Sequence, residues 1–406
     1  MARQPASVRH LIGLLVPGGV LLLAAWAIQK EEVMRSAAAP YALVFCCGAL
    51  AAALLISWYY DQSRLLCVAS VVVGTVWIVE QLPTAANSAK FAAALLLPVN
   101  FVLFASVRER GVMSFEGFLK IGVVMAQAFG LAWLGRTNHQ TLEAVLGWGH
   151  RAVAWMWLPI PAIVAFGIAG MSLVVLFLVR RSSVEPGLLW ALAAMFLGVN
   201  QMMMPDALLL YAGTASLMLV FAVLEHGYDI AYRDELTGLP GRRAFNHIME
   251  QLGGTYTLAM CDVDHFKKHN DTYGHETGDQ ILKMVAAKLS QVGGGGRAFR
   301  YGGEEFLLVF RGLSAREAEP FVDAICRTIA STGFVVRGND RPPKRPLEVR
   351  PRKNLTKIQI TVSAGVAGRS PRHSSPELVL DAADTALYRA KEAGRNRVRL
   401  AEGTPE

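Results

Sequence analysis

Eight apolar runs, at roughly 11–28, 37–60, 65–82, 91–107, 117–134, 152–179, 188–204 and 206–224, fill the first half of this 406-residue chain. Most approach the ~20 residues that a helix needs to cross a bilayer. No single soluble core absorbs so many, so the expected N-terminal region, residues 1–227, is an all-α polytopic membrane domain of about eight helices. The seventh run is the weakest, because Asn200, Gln201 and Pro205 crowd its end. Eight spans put both termini on one side, where the loops carry Arg3, Arg9, Arg64, Arg108, Arg110, Arg180 and Arg181. The opposite loops hold Lys30, Arg35, Lys90, Arg136 and Arg151. This small bias favours a cytoplasmic N-terminus and eight spans over seven. The first run is followed too closely by others to be only a signal peptide.

Hydrophobic residues make up 53% of the chain, and their distribution is uneven: all eight tryptophans lie at or before Trp190, while charge is dense after Asp229. Glu80, Lys120 and Gln127 are polar positions in or near apolar runs, where ionisable groups are costly and often functional. They can line a ligand cavity; the plainer account has Glu80 and Lys120 snorkelling at span ends. The five cysteines include no CxxC pair, which argues against a structural zinc site. The net charge of +8 is scattered or confined to one late insert, so no nucleic-acid surface is expected.

From Tyr228 to Glu406 the pattern changes to short strands alternating with amphipathic helices, an α/β arrangement. "YTLAMCDVDHF" (256–266) begins as a strand and ends in acid. "GDQILKMVAAKLSQV" (278–292) has helical spacing, and so has "AREAEPFVDAICRTIAS". "KIQITVSAGVA" (357–367) alternates as one strand. The last helix has Ser375 as its cap and Gly394 as its stop, and a strand follows it.

Within this half, "RAFRYGGEEFLLVF" (297–310) sets Gly302 and Gly303 between two strand-like runs. The glycines allow a tight turn and close approach of another molecule. Glu304 and Glu305 are expected to start the second strand with their side chains on opposite faces. If that strand neighbours the one ending at Asp262, Asp262 and Glu304 sit at one end of the sheet and can share a hard cation. Magnesium prefers one or two carboxylates plus phosphates and water. "DHFKKHND" would add backbone N–H groups at a helix start. Lys391 and Arg395, four apart, would present two cations from one helix face. Together these imply a nucleoside triphosphate.

The same stretches carry a family likeness. "DELTGLPGRRAF" (234–245), "DVDHFKKHNDTYGHETGDQIL" (262–282), "RYGGEEF" (300–306), "TVSAGVA" (361–367) and "ADTALYRAKEAGRNRV" (383–398) resemble the motifs of the GGDEF domain of diguanylate cyclases. The resemblance implies a palm-like, nucleotidyl-cyclase-like fold with a central antiparallel sheet over residues 228–406. It also implies condensation of two GTP into cyclic di-GMP and two pyrophosphates by two domains meeting face to face, with Mg2+ or Mn2+. By the same likeness Asp262, the Val263 carbonyl and Glu304 are metal ligands. Glu304 is also the proton acceptor, and Glu305 a second acid. Phe266 and Lys267 match the phosphate loop, Asn270 and Asp279 the guanine readers with His275 close by, and Lys391 and Arg395 the triphosphate pair. An acid accepting from guanine N1–H and N2–H2 suits GTP rather than ATP. Plainer accounts remain: His275 and Asn270 as turn residues, and Asp279 as a helix-start acid.

The chain departs from the family at three places. Where many relatives carry an Arg-x-x-Asp product-binding inhibitory site, Gly293 and Gly296 stand here, so that site is expected to be absent. The insert "RGNDRPPKRPLEVRPRKNL" (337–355) reads as an exposed loop or hairpin, with a basic arm as its functional alternative. Gly241 replaces a common asparagine. The joint "EHGYDIAYRD" is short, which ties any signal to how the last spans pair. The expected whole is a homodimeric enzyme of a bacterial inner membrane, with its catalytic domain cytoplasmic and an unknown signal ligand. The rivals are a catalytically weak GTP-binding module and a transporter with a nucleotide-regulated tail.

Overall fold

The computed structural model describes residues 16–81, 87–137, 158–180, 182–202, 204, 206–336 and 357–402. The chain divides into two compact units, Met1–Asp229 and Ile230–Glu406. The insert at 337–355, the start of the first apolar run, and Arg3, Arg9, Arg151, Arg181 and Pro205 lie outside the described residues.

Every described secondary-structure element of the first unit is a helix. Its helices are α1 (Gly18–Lys30), α2 (Glu32–Tyr59), α3 (Ser63–Gln81), α4 (Asn87–Ser106), α5 (Phe115–Thr137), α6 (Ile160–Arg180), α7 (Val184–Asn200) and α8 (Ala207–Tyr232). Each apolar run becomes a helix because backbone N–H and C=O groups in a hydrocarbon setting must be paired within the segment. Among the described residues, four helices (α2, α3, α6 and α8) are long and apolar enough to cross a membrane. Helix α7, the run with polar residues at its end, has 17 residues and falls short of that length. The core of this unit joins Leu65, Phe101, Phe104, Leu158, Leu173, Leu188 and Leu219.

Lys120 and Glu80 do not behave alike. Glu80 is exposed. Lys120 is buried rather than snorkelling: its Nζ donates to Ser63 Oγ at 2.9 Å and to the Arg108 carbonyl at 3.1 Å. Glu109 beside it accepts from the Ser63 and Arg64 amides.

In the second unit a five-stranded sheet runs β2–β3–β1–β6–β7, with β1 (Tyr256–Val263), β2 (Arg297–Arg300), β3 (Glu305–Arg311), β6 (Val362–Gly368) and β7 (Val398–Leu400). Four strands pair antiparallel, as expected, and β7 joins β6 in parallel at the edge, so the sheet is mixed. Helices α9 (Arg242–Met249), α10 (Phe266–Tyr273), α11 (His275–Leu289), α12 (Ala315–Ser331) and α13 (Pro376–Glu392) complete the unit. Each face of the sheet has its own core. One joins Phe266, Ile281, Val285, Phe306, Phe310 and Val322; the other joins Phe245, Phe299, Leu307, Val379 and Leu387. Alternation along β1 sends Ala259, Cys261 and Val263 to the first and Leu258 and Met260 to the second. Helix α13 lies so close on β6 that a Cβ at Gly365 would stand 2.1 Å from the Ala383 carbonyl oxygen.

Helix α12 begins with a capping box: Ser314 Oγ accepts from the Glu317 amide, and the Glu317 carboxylate accepts from the Ser314 amide. Ser375 likewise caps α13 by accepting from the Leu378 amide. The stretch 357–367 is two strands rather than one. β5 (Lys357–Gln359) leaves the main sheet to pair antiparallel with β4 (Gly333–Val335), and the chain joins the main sheet only from Val362. The break falls at Thr361, whose carbonyl accepts from the Asp264 amide and whose hydroxyl donates to the Asp264 carboxylate.

Candidate active site

The site forms where β1 and β3 end side by side. Asp262 pairs in register with Glu305, and opposed residues of an antiparallel pair share a face of the sheet. Glu304 does not start the strand as expected: β3 begins at Glu305 and Glu304 lies in the turn. Strand alternation therefore does not separate the two glutamates. Glu304 is tied to β1 by its own backbone, its carbonyl accepting from the Val263 amide at 3.3 Å. Gly302 and Gly303 both turn with negative φ, so left-handed geometry is not the reason for them. Open space surrounds the position where a Gly303 Cβ would stand, leaving that side of the turn free for another molecule.

A strut holds this turn. Arg300 donates to both Asp234 carboxylate oxygens, at 2.8 and 2.9 Å, and to the Gly303 carbonyl at 2.8 Å. Asp234 also accepts from the amide and hydroxyl of Thr237. The "DELTGLP" segment thus braces the glycine turn, a role that its spacing from Arg300 in sequence does not suggest.

Burial pushes the Asp262 carboxyl above its ordinary range, while the hydrogen bond and charge of Lys391 pull it down; Asp264 adds to the rise and Arg395 opposes it. The Lys391 Nζ lies 2.9 Å from Asp262 Oδ1. Glu304 is also raised, by burial first and then by the Asp262 charge, with Lys391 again opposing. Two carboxylates crowd one another and the chain brings one ammonium to them. Lys391 and Arg395 do not share a helix face as expected. Helix α13 ends at Glu392, and Arg395 follows Gly394 in a left-handed turn, φ 62°. Its amide donates to the Ala390 carbonyl at 3.1 Å, a Schellman closure.

That turn rests on Asp264, which sequence reasoning passed over. Asp264 is 2% exposed and accepts from Thr361 Oγ1 and Ser363 Oγ at 2.7 Å each and from the Asn396 amide at 3.1 Å. Its oxygens are spoken for by groups of this chain. Its partners lie about a hundred residues away in sequence, so no local spacing marks it.

Phe266 sits at the start of α10 with its side chain in the core, so only its backbone faces the site; Lys267 is exposed. No side chain caps α10, and its preceding residue His265 is left-handed at φ 57°. Helix N-termini of this kind attract anions. On the neighbouring pair α10–α11, Asn270 Oδ1 is buried with no hydrogen-bond partner. A Cβ at Gly278 would stand 1.8 Å from that oxygen, so glycine is what admits the amide here. Asp279 and His275 are exposed on α11. An orphaned acceptor packed against Gly278, with the exposed acid Asp279 next to that glycine in sequence, suits a heterocycle edge rich in N–H donors. Gly293 and Gly294, in the glycine run, lie under the Phe321 ring.

The donor set fits a hard divalent cation: two carboxyls raised by burial, Asp262 and Glu304, next to the Val263 carbonyl, with Lys391 as the neutralising cation in the chain's own arrangement. Among the described residues no group of three or more His, Cys, Asp or Glu side chains could hold a metal by itself. Phosphate or water oxygens would have to complete the shell.

Residues 231–397 match the family described as "Diguanylate cyclase, GGDEF domain". Diguanylate cyclase VdcA of Vibrio cholerae is 39% identical over 170 residues, covering 41% of this chain and 45% of VdcA. Response regulator PleD of Caulobacter vibrioides is 31% identical over 184 residues, covering 43% of this chain and 37% of PleD. The GGDEF domain of DgcB from Caulobacter crescentus, solved in complex with c-di-GMP, is 36% identical and covers 43% of this chain and 94% of that one, with a TM-score of 0.36. This chain spans less than half the length of the curated relatives it matches. Its C-terminal unit is a GGDEF domain.

Proposed function

We propose that this GGDEF domain is a diguanylate cyclase, carried by a membrane module that serves as its input or dimerisation element at a bacterial inner membrane. The observation that carries the reading is the convergence of Asp262, Glu304 and Lys391 at one end of the sheet, with both carboxyls raised first by burial and Glu304 then by the Asp262 charge. A site in that state gains when a divalent cation and a polyphosphate arrive together.

In this reading Asp262, the Val263 carbonyl and Glu304 hold Mg2+ or Mn2+, which supplies charge neutralisation at the reacting phosphate. Lys391 swings from Asp262 to the triphosphate, and Arg395 joins it from the Asp264-anchored turn. The α10 N-terminus, through the Phe266 and Lys267 amides, takes a phosphate oxygen. Asn270 and Asp279 read the guanine edge, with His275 at the rim. Each domain holds one GTP, so two domains of a homodimer face each other. Each 3′-hydroxyl attacks the α-phosphate of the other GTP. The α–β anhydride bonds break, two phosphodiester bonds form, two pyrophosphates leave and two hydroxyl protons are released. Glu304 and Glu305 are the acids beside the hydroxyl. A carboxylate already ligating a cation is a weak base, so ligation is the main role of Glu304. The transfer depends on in-line placement and charge neutralisation rather than covalent catalysis.

The test is full-length protein in detergent or nanodiscs with GTP and Mg2+, with product resolved by chromatography. Cyclic di-GMP should form from GTP and no cyclic dinucleotide from ATP. Glu304→Ala and Asp262→Ala should each lower the rate by about 10²–10³-fold or more, the usual loss on removing one electrostatic stabiliser. Production at wild-type rate by either variant would sink the assignment.

A further inference from the structure

A cavity of about 290 Å³ opens inside the first unit, lined by α3, α4 and α5 with Leu54 from α2. Its wall is almost entirely carbon: Val71, Leu97, Val124 and their neighbours. One polar pair breaks that surface. Asn100, 2% exposed, donates from Nδ2 to Gln127 Oε1 at 2.7 Å, and its Oδ1 is buried with no partner. The hydroxyls in the lining are already engaged. Ser70 donates to the Leu66 carbonyl and Thr75 to the Val71 carbonyl, each at 2.9 Å.

An unmet buried acceptor costs ~1–3 kcal/mol. Water is a poor remedy, because a buried water needs ~2–4 polar partners and this wall offers few. The space also exceeds what one polar atom requires. A cavity of about 150 Å³ already admits benzene, so this one has room for a ring with a substituent or a chain of several carbons. A Cβ at Gly74 would meet nothing within 4 Å, which marks that wall as open space. Trp77 and Met125 on the rim are 52% and 65% exposed, so the mouth faces outward from the bundle on an apolar surface. An occupant reaching it from hydrocarbon must itself be mostly apolar.

We propose that this cavity binds a small hydroxylated hydrocarbon, a short alkanol or phenol, with its hydroxyl on the Asn100 amide and its carbon body against Val71, Leu97 and Val124. A hydroxyl both donates and accepts, so it satisfies the Asn100 terminal group in either orientation. A carboxylate would bring an uncompensated charge into the cavity, and an alkane would leave Oδ1 unmet. The site stands on its own geometry and does not rest on the cyclase reading.

The test uses full-length protein in phosphatidylcholine nanodiscs with a diazirine-bearing 1-octanol, and peptide mapping after irradiation. Labelling should concentrate in segments 70–78, 93–100 and 124–128. Excess 1-octanol should compete at least fivefold better than n-octane or octyl methyl ether, as expected for one hydrogen bond of about 1 kcal/mol. Asn100→Leu should cut labelling by a similar factor. Gly74→Leu, which fills the space without touching Asn100, should cut it further. Labelling spread evenly over outward-facing helix surfaces overturns the site, and equal competition by octane and octanol overturns the role of Asn100; this arm needs no variant. The readout is covalent label rather than nucleotide product, so a failure here is separable from failure of the cyclase assignment.

Discussion

The two units treat buried charge in opposite ways. In the helical unit Lys120 is enclosed by groups of its own chain, the Ser63 hydroxyl and the Arg108 carbonyl. In the GGDEF unit Asp262 is raised by burial and then by Asp264, and Glu304 by burial and then by Asp262, with Lys391 as the ammonium beside them. Charge that the chain satisfies by itself holds a structure together. Charge that it leaves in conflict is waiting for something from outside.

The contrast breaks or holds on two lysines. Removing one partner of a buried charged arrangement costs about 3–5 kcal/mol. Lys120→Met should therefore destabilise the helical unit by that order, read as early loss of its helices on heating, and no added ion should restore it. Lys391→Met should destabilise the GGDEF unit by less, because Lys391 is about a third exposed. Mg2+ or Mn2+ should then recover most of the loss, since the cation takes the place of the ammonium beside Asp262. If divalent ions left Lys391→Met unchanged, the conflict between the two carboxylates would have to be structural, and the comparison would fall.

A second contrast lies within the GGDEF unit, between acids two residues apart. Asp262 is left partly unmet, whereas Asp264 accepts three hydrogen bonds that join β1, β6 and the turn at Asn396. Asp264→Ala would orphan the buried Ser363 hydroxyl and the less buried Thr361 hydroxyl and Asn396 amide, at about 2–4 kcal/mol in sum. Hydrogen exchange should show the turn at 395–396 and the end of β6 losing protection first. A stabilising effect of divalent ions on this variant equal to that on wild type would confine the damage to the turn rather than to the Asp262 pair.

These two acids also show what a sequence exposes. Asp262 and Glu304 were legible, because each ends or follows an apolar run and the glycine turn points at them. The helical runs were legible for a similar reason: length and apolarity are local properties. Asp264 was not, since what distinguishes it is a set of partners at 361, 363 and 396. Nor was the break in 357–367, because alternation is the same whichever sheet a strand joins. The four-residue spacing of Lys391 and Arg395 misled in detail, because it means one face only while the helix lasts, and α13 stops at Glu392.

The smallest effect concerns the strut, where the chain again satisfies its own charge. Burial works against the Asp234 carboxylate, but the Thr237 hydroxyl, Arg300 and the Thr237 amide more than offset it and hold the group below its ordinary value. A carboxyl lowered on folding adds stability that is fully present above its unfolded value, ~3.9, and is lost as pH falls through the lowered folded value. The GGDEF unit should therefore lose a little stability below about pH 4 that Asp234→Asn no longer loses. The pair is partly exposed, so the difference should stay under about 1 kcal/mol. Arg300 also holds the Gly303 carbonyl, so Asp234→Asn should loosen the glycine turn at neutral pH, and the rate of the proposed cyclase reaction should fall more than the stability does. Equal acid limbs for the two proteins would mean that Arg300 braces the turn through Gly303 alone, and that this ion pair, unlike the Lys120 cluster, contributes position without measurable stability.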